Sequence, residues 1–325
     1  MTESAQLLGI SNAIVDLLVH VDEDFIKMIG APRGSMTLID EAHAHDIYDM
    51  IGPATKMSGG SVANTIAGFA ILGGTASYIG RVKNDQLGEI FIHDMRSLGV
   101  DIRIAPATDG APTARSHILI EPNGQRTMQT YLGACTELGV SDVTEETVNT
   151  PKVILLEGYI WDITEGPALA AKAIRIAKKN GSTIALSLSD SYCVERHRDA
   201  FANAIRDDVT IVFANEDEMM ALYEVNEFDN VLAAITGFDN LFVMTRAERG
   251  SVIVKGDTKI IQEAMIVKQV IDTTGAGDAY TAAFLYGWTC GKTLNECARL
   301  GSHVATSVIQ KIGARIDKNV FSSYQ

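Results

Sequence analysis

The sequence predicts an α/β protein in which a central, mostly parallel sheet is flanked by helices and carries a small β-sheet lid. One observation behind this prediction is that short apolar segments alternate with amphipathic helical segments through the C-terminal half of the chain. Strands joined by helices form right-handed βαβ units around a parallel sheet. The other observation is that two β-rich segments, about 11–40 and 114–132, interrupt this alternation. We expect these two segments to form a separate structure beside the main sheet.

The elements of the C-terminal half follow from apolar periodicity and from signals at helix ends. The segment 167–180 is one example, because proline favours the first turn of a helix and Gly181 follows at the position that ends helices. The predicted strands are 152–159, 182–189, 209–214, 240–245 and 264–271, and the predicted helices are 167–180, 195–208, 216–223, 279–288 and 294–310.

The two β-rich interruptions predict a lid. The first opens with the strand-like run LLGISNAIVDLLVHV, and the second has two β-rich runs around the turn Glu121-Pro122-Asn123-Gly124, which indicates a hairpin. Hairpins inserted into a parallel-sheet core often cover the carboxyl ends of the strands, where ligands bind. No linker divides the chain, so we predict one domain over residues 1–325, with the lid contributed by about 11–40 and 114–132.

The charge balance argues against a general nucleic-acid binder. The chain has 27 Lys and Arg residues against 41 Asp and Glu residues, a net charge of −14, and no long basic cluster. Such a surface repels phosphate backbones. No apolar run approaches the ~18 residues that span a membrane, and the N-terminus lacks the pattern of a secretory signal. We expect a cytoplasmic protein without nucleic-acid or membrane partners, as a monomer or a homodimer.

Metal-binding and disulfide patterns are weak in this sequence. The four cysteines are scattered without a CxxC pair, which argues against a disulfide scaffold and a structural zinc site. His43 and His45 alternate on a predicted acidic helix, where side chains two residues apart diverge. We interpret both as surface residues.

Three glycine-rich segments are candidates for binding a phosphate, because backbone N–H groups can approach an anion closely where no Cβ intervenes. The segment 287–293 is one residue short of a P-loop and follows a helix instead of a strand. The pair Gly275 and Gly277 does not complete a dinucleotide fingerprint, which argues against a nicotinamide oxidoreductase. The third segment, DTTGAGD at 272–278, follows a strand-like run and opens an amphipathic helix.

The segment 272–278 combines an anion-binding backbone with a carboxylate. The N-terminus of a helix presents unpaired N–H donors and a partial positive charge. Asp278 lies in the first turn of the predicted helix, where it would repel a phosphate that was merely bound. A carboxylate is useful there if it takes a proton from a nucleophile while the amides receive negative charge. The alternative is an ordinary strand-to-helix turn.

DTTGAGDAY near the C-terminus and Gly59-Gly60-Ser61-Val62-Ala63-Asn64 near the N-terminus resemble the two signatures of the ribokinase-like, PfkB-type sugar and nucleoside kinases. Asn215-Glu216-Asp217-Glu218 resembles the N-x-x-E motif of the same family. The resemblance covers essentially the whole chain and is strongest to the adenosine-kinase branch. It implies a Rossmann-like core with a β-lid, ATP as phosphoryl donor together with Mg²⁺, and in some relatives a monovalent cation such as K⁺.

The resemblance also implies roles for single residues on the phosphoryl side. Asp278 would be the base that activates the acceptor hydroxyl, Gly275, Ala276 and Gly277 would form the anion hole, and Arg126 would lie near the transferred group. Glu218 would act on Mg²⁺ through water, and Asp272 is the candidate ligand of the monovalent cation. The residues implied at ATP are Asn215, Thr245, Ala247, Gly250 and His303, where Ala247 replaces a glycine of the family motif.

On the acceptor side the resemblance implies a sugar cradle of Asn12, Asp16, Gly60 and Asn64. Met36, Leu38, Tyr159 and Ile160 match positions around the base in adenosine kinases. On apolarity alone these four residues are more typical of lid core. We expect phosphorylation of the 5′-hydroxyl of a nucleoside, adenosine to AMP, with a ribokinase- or fructokinase-type sugar kinase as the alternative and a non-catalytic nucleotide or nucleoside sensor as a remote one.

Overall fold

A computed structural model describes residues 5–323, and these residues form two β-sheets with helices on both faces of the larger one. The strands are β1 (Leu7–Ile10), β2 (Ile14–His20), β3 (Met36–Leu38), β4 (Thr55–Gly59), β5 (Ala76–Ile79), β6 (Asp101–Ile102), β7 (Ala114–Ile120), β8 (Arg126–Tyr131), β9 (Val153–Glu157), β10 (Thr183–Ser187), β11 (Ile211–Asn215), β12 (Leu241–Thr245), β13 (Ser251–Lys255) and β14 (Thr258–Gln262).

The helices are α1 (Glu23–Met28), α2 (Glu41–Met50), α3 (Ser61–Ile71), α4 (Gln86–Ser97), α5 (Glu145–Val148), α6 (Gly166–Asn180), α7 (Ser191–Asp207), α8 (Glu216–Tyr223), α9 (Phe228–Ile235), α10 (Ala276–Thr289) and α11 (Leu294–Val308). Gly181 ends α6 with a φ of +70°, as its position in the sequence predicts. Among residues 5–323 none of the helices is both long and apolar enough to span a membrane.

The large sheet has nine strands within the described residues, in the order β14-β13-β12-β11-β10-β9-β1-β5-β6. Its strands are parallel from β6 to β12, and β13 and β14 continue it in antiparallel pairing. The interior strand β9 is buried along its whole length, with Val153 and Leu155 in the core on one face and Ile154 and Leu156 in the core on the other. Such uniformly apolar strands are typical of parallel sheets covered on both sides. The predicted α/β fold is confirmed.

The small sheet has the order β3-β8-β7-β2-β4 within the described residues. Four of its strands come from the two segments predicted as the lid, while β4 was not predicted. The register pairs Asp16 with Ser116 and Ile120 with Arg126. Because side chains alternate along a strand, Asp16 and Arg126 lie on the same face of this sheet.

One strand prediction was wrong. Residues 264–271 form no strand, and β14 is the last strand before α10. Five apolar residues of this segment line a cavity, and Ile266 is fully exposed. These residues border the cavity and do not pair with a strand of the sheet.

The turn between β12 and β13 holds a residue in an unfavourable conformation. Ala247 has a φ of +48°, in the left-handed region where a Cβ crowds the following carbonyl. Gly250 closes the same turn with a φ of +78°, and a Cβ there would lie 2.0 Å from the carbonyl oxygen of Gln262. Glycine is thus required at position 250, and alanine at position 247 destabilises the turn.

We predict that Ala247→Gly raises the free energy of unfolding by about 0.5–1 kcal/mol, because glycine adopts this φ without steric cost. The measurement is urea denaturation of the variant and the unmodified protein. Ala171→Gly, at an exposed position of α6, is the matched control and should lower the free energy of unfolding by about 1 kcal/mol. A similar destabilisation in both variants would contradict the strain at Ala247.

Candidate functional site

A polar cavity lies where the carboxyl ends of the central strands meet the N-termini of α3 and α10. Its volume is about 100 Å³, and it adjoins a larger cavity of about 580 Å³. Asn215, Thr245 and Gly277 line both cavities. The carboxyl ends of parallel strands are the usual ligand-binding edge of α/β sheets. The two cavities therefore form a continuous candidate site.

Among the described residues, Asp278 is one of the two carboxylates that line the polar cavity, with Glu218 as the other. Asp278 lies in the first turn of α10, and its carboxylate accepts hydrogen bonds from Ser61 Oγ at 2.7 Å and Asn64 Nδ2 at 3.2 Å, both on α3. Burial raises the pKa of Asp278 to about 6, against the opposing effects of these two hydrogen bonds and of the Arg315 charge. A carboxylate with this pKa is ionised at neutral pH and still basic enough to accept a proton from a hydroxyl.

The turn before α10 presents backbone donors next to Asp278. No hydrogen bond within residues 5–323 engages the N–H groups of Gly275 and Gly277, whereas Ala276 N donates to Thr273 O at 3.2 Å. Gly275 has a φ of +74°, and a Cβ there would lie 2.3 Å from the Cβ of Ala314. Amides in the first turn of a helix lack intrahelical acceptors and carry the positive end of the helix dipole. Two of the three amides predicted for the anion hole are thus available.

Asp272 holds the start of this turn. It is buried, and its carboxylate accepts hydrogen bonds from Thr274 N at 2.9 Å and Gly313 N at 2.6 Å. It also forms an ion pair with Arg126, which donates to Thr274 Oγ1 at 3.1 Å. Arg126 belongs to β8, so this pair connects the small sheet to the turn that opens α10.

The four residues predicted for the sugar cradle lie around the N-terminus of α3. Gly60 caps this helix with a φ of +96°, and a Cβ there would lie 2.5 Å from the carbonyl oxygen of Asn12. A Cβ on the neighbouring Gly59 would lie 2.3 Å from the Asp16 carboxyl group. Asn64, one turn into α3, contacts Asp278. The glycine pair therefore lets Asn12 and Asp16 approach the helix that carries Asn64.

The electrostatics of Asp16 connect it to the same site. Burial raises the pKa of Asp16 to about 7, with the charge of Arg315 lowering it and that of Asp278 raising it further. The side chain of Asn12 is also buried, and its Oδ1 has no hydrogen-bond partner among the described residues. A ligand with hydroxyl donors would satisfy both groups.

Sequence reasoning missed Glu157, which connects these elements. Its carboxylate is buried at the end of β9 and accepts hydrogen bonds from Asn12 N at 2.8 Å and Val62 N at 3.1 Å. Burial raises the pKa of Glu157 to about 7 despite these two bonds. The available signal was a glutamate that ends an otherwise apolar strand, because such a residue is seldom buried without a partner.

Ser61 and Arg315 were also missed. Ser61 stands in the quoted N-terminal signature, where its position just after the glycine pair was the available signal. Arg315 lies in the loop after α11 and donates from Nη1 to Asn64 Oδ1 at 3.2 Å. Nothing in the sequence around Arg315 indicates that this loop returns to α3.

The larger cavity is mostly apolar and lies against α11 and the segment 264–271. Four of the residues predicted at ATP line it, namely Asn215, Thr245, Ala247 and Gly250. The fifth does not, because His303 donates from Nε2 to the carbonyl oxygen of Val320 at 3.0 Å. The residues of α11 and its C-cap that line the cavity are Ser302, Ala305, Thr306 and Ile309, and His303 is not among them.

Asn215 and Glu218 form the capping box of α8. Asn215 accepts from Glu218 N at 2.8 Å, and the Glu218 carboxylate accepts from Asn215 N at 3.0 Å and Nδ2 at 2.6 Å. Burial raises the pKa of Glu218 to about 7. The Glu218 side chain also lines the polar cavity that contains Asp278.

The residues predicted around a base occupy different environments. Met36 and Leu38 lie on the edge strand β3 and are 47% and 58% exposed. The Tyr159 hydroxyl donates to Asp190. Ile160 is completely buried in the core cluster on one face of the large sheet and offers no surface to a ligand in this structure, which corrects its predicted role.

Metal-binding side chains do not converge within the described residues, since no group of three or more His, Cys, Asp or Glu side chains there could hold an ion. His45 is exposed on α2, and its Nε2 lies 3.6 Å from Asp49. The four cysteines are free thiols.

The chain is similar to known kinases over most of its length. An adenosine kinase from Sinorhizobium meliloti is 45% identical over 96% of both chains, with a TM-score of 0.87. A probable sugar kinase protein from Rhizobium etli CFN 42 is 42% identical over 96% of this chain and 94% of its own, with a TM-score of 0.88. The adenosine kinase of Saccharomyces cerevisiae is 26% identical over 95% of this chain and 96% of its own.

Residues 41–319 match the pfkB family carbohydrate kinase model. These similarities confirm the family predicted from the sequence motifs and imply the use of ATP. The chain therefore belongs to the pfkB family of carbohydrate kinases and is a phosphotransferase that acts on an alcohol group.

Proposed function

We propose that this protein transfers the γ-phosphoryl group of ATP to the 5′-hydroxyl of adenosine. The observation that carries the proposal is the position of Asp278 between two binding regions. On one side lies the apolar cavity of about 580 Å³, and on the other lie Asn12, Asp16 and Asn64. A hydroxyl held by the second region would be next to a basic carboxylate and to the N-terminus of α10.

The proposed reaction uses Asp278 as the general base. The carboxylate accepts the proton of the acceptor hydroxyl as its oxygen forms a bond to the γ-phosphorus, and the bond from that phosphorus to the ADP oxygen breaks. The N–H groups of Gly275 and Gly277 stabilise the charge on the transferred group. Phosphoryl transfer depends mainly on such positioning and electrostatic stabilisation.

The residues around the two cavities fit Mg-ATP. The apolar cavity is large enough for a nucleobase and ribose, and Asn215, Thr245 and Gly250 line it near the polar cavity. Glu218 would hold Mg²⁺ through water, because both of its oxygens already bind Asn215 and Mg²⁺ commonly keeps several of its waters. When bound, Mg²⁺ would neutralise phosphate charge in a site that contains several carboxylates.

Arg126 and Asp272 have a proposed role in closing the site. The two segments of the small sheet would act as a lid, and the ion pair between Arg126 and Asp272 is one of its contacts with the catalytic turn. In this role Arg126 would shift toward the transferred phosphoryl group when ATP is bound. A monovalent cation such as K⁺ at Asp272 would have to share a carboxylate that already pairs with Arg126, Thr274 and Gly313.

Adenosine is proposed as the acceptor because of the 45% identity to the Sinorhizobium enzyme over 96% of both chains. Met36 and Leu38 are exposed apolar residues on the edge of the small sheet and could contact a flat base when the lid closes. A second candidate acceptor is a furanose sugar, which the 42% identity to the probable sugar kinase from Rhizobium etli favours. A sensor without turnover is disfavoured by the basic, accessible Asp278.

The acceptor is tested by measuring ADP release from Mg-ATP with adenosine, inosine, cytidine, ribose and fructose at equal concentration. We predict that kcat/KM for adenosine exceeds that for ribose by at least about 10²-fold, because the base adds apolar contacts that ribose lacks. A preference for ribose or fructose would reject the nucleoside assignment and support the sugar-kinase alternative. ADP release without any dependence on the acceptor would favour neither.

Asp278→Asn should lower kcat at least about 10²-fold while the dissociation constants of ATP and acceptor change only a few-fold, because the amide cannot accept the proton. Turnover is read from ADP release and binding from calorimetry. Asp229→Asn, which removes an exposed carboxylate from the first turn of α9, is the matched control and should behave as the unmodified protein. Turnover of Asp278→Asn near the unmodified rate would remove Asp278 from the mechanism.

Asp16→Asn should weaken acceptor binding at least about tenfold and leave ATP binding unchanged, because it replaces a charged acceptor of two hydroxyls by a neutral one. The variant should remain folded and should not be less stable than the unmodified protein. Since burial raises the pKa of Asp16 to about 7, its ionised form opposes folding above that pH, and the variant should unfold at a temperature no lower than the unmodified protein at pH 8. Equal losses in acceptor and ATP affinity would exclude Asp16 from the acceptor site.

A further inference from the structure

Arg315 connects three elements that surround the acceptor side of the site. It lies in the loop after α11, and its guanidinium donates from Nη1 to Asn64 Oδ1 on α3 at 3.2 Å. Nη2 donates to the carbonyl oxygen and hydroxyl of Ser58 on β4, and to Asp94 Oδ2 on α4 at 3.2 Å. The side chain is only 19% exposed. Both ends of the guanidinium fork are therefore held.

The two residues before Arg315 in this loop, Gly313 and Ala314, contact the turn that opens α10. Gly313 N donates to Asp272, and Ala314 packs against Gly275. Ile316, the next residue, packs against Gly68 of α3. Residues 313–316 thus contact both ends of the turn before α10 as well as α3, so the position of Arg315 is determined by a well-supported loop.

The bond to Asn64 determines which side of its amide faces Asp278. A side-chain amide has a carbonyl oxygen at one end and an NH₂ group at the other. With its oxygen bound by Arg315, Asn64 presents Nδ2 to the Asp278 carboxylate, at 3.2 Å. The reverse orientation would place the amide oxygen against the carboxylate and the NH₂ group against the guanidinium, and both contacts would be repulsive.

We propose that Arg315 is a positioning residue for Asp278: by binding Asn64 Oδ1 it orients the amide so that its NH₂ group donates to the Asp278 carboxylate. Arg315 thereby holds in place one of the two hydrogen bonds that orient the base. The inference deepens the proposed function, since it assigns a residue that prepares the same carboxylate for the reaction.

The charges around Asp278 affect its pKa, so a titration of Asp278 can report the effect of Arg315. The carboxylates of Asp16, Glu157 and Glu218 face the same region, and the charge of Arg315 opposes the rise in the pKa of Asp278 that burial causes. Asp94 accepts a hydrogen bond from Arg315 Nη2. Burial alone would raise the pKa of Asp94, but hydrogen bonds from Ser58 and the charge of Arg315 lower it below the usual range. Loss of Arg315 should therefore change both the titration of Asp278 and its coupling to Asn64.

The test is an NMR titration of the full chain without ligands, which does not depend on the acceptor. The ¹³C carboxyl signal of Asp278 is assigned from Asp278→Asn, and the Asn64 side-chain ¹⁵NH₂ signal from Asn64→Asp. In the unmodified protein the Asn64 signal should shift with the same midpoint as Asp278, near pH 6. In Arg315→Gln the Asp278 midpoint should move to higher pH, and the Asn64 signal should no longer follow it.

Arg315→Lys separates charge from orientation, because lysine keeps the charge but lacks the planar fork. It should keep the Asp278 midpoint close to that of the unmodified protein and lose the coupling to Asn64. If Arg315→Gln does not fold, Arg315→Lys alone tests whether Arg315 orients Asn64. Arg96→Gln, an exposed arginine on α4, is the control and should change neither signal. Coupling of Asn64 to Asp278 that persists in Arg315→Lys or in folded Arg315→Gln would overturn the proposal.

Activity measurements then distinguish this inference from the proposed function. With adenosine as acceptor, kcat of Arg315→Lys should fall about tenfold, because a small misorientation of a catalytic base is costly. An unmodified protein that does not phosphorylate adenosine would contradict the proposed acceptor. The NMR titration would still decide the role of Arg315.

Discussion

The desolvation of carboxyl groups at the carboxyl edge of the large sheet is the constraint on which the site depends. Glu157, Glu218 and Asp278 lie there and Asp16 faces them from the small sheet, and burial raises the pKa of each to about 6 or 7. Removing a carboxylate from water costs several kcal/mol unless hydrogen bonds or charges compensate. Each compensating donor therefore has to be held in a definite place. The backbone holds such donors near Glu157, where Asn12 N and Val62 N bind the carboxylate.

Three of these carboxyl groups accept hydrogen bonds from different kinds of donor, and these differences separate their roles. Glu157 binds two backbone amides, so it organises Asn12 and the start of α3. Glu218 binds its own N-cap residue, so it stabilises α8 while still lining the polar cavity. Asp278 receives bonds from two side chains instead, Ser61 and Asn64, which orient its carboxylate in the polar cavity. The carboxylate that is suited to chemistry is the one that side chains orient inside the cavity.

The strands β9 to β12 and the helices α6 to α8, α10 and α11 could be predicted because their signals are local. Apolar strands and capped helices appear in the sequence wherever burial and helix ends require them, and α8 was predicted at its observed bounds, Glu216–Tyr223. The failure at 264–271 has a physical cause, since apolar residues that line a cavity have the same composition as a strand. The strand β4 was missed because five residues, TKMSG, carry too little pattern.

The site was predictable to the extent that its residues stand in motifs. Asp278, Gly275 and Gly60 lie in contiguous signatures whose backbone conformation requires glycine. Arg315 contacts Asn64, which is 251 positions away in the chain, and Glu157 contacts Asn12, which is 145 positions away. No local sequence pattern reveals contacts of this kind. His303 is not among the residues that line the cavity and Ile160 is buried in the core. The sequence could not predict this, because a resemblance gives the element but not which way a side chain faces within it.

The central claim is that the acceptor hydroxyl binds next to Asp278 while ATP occupies the cavity against α11. The most direct measurement is a crystal structure with adenosine and a non-hydrolysable ATP analogue. We expect the adenosine 5′-oxygen within about 2.6–3.2 Å of a carboxylate oxygen of Asp278, and the analogue's base in the cavity of about 580 Å³. A 5′-oxygen beyond hydrogen-bond reach of Asp278, or an analogue bound outside that cavity, would contradict the claim.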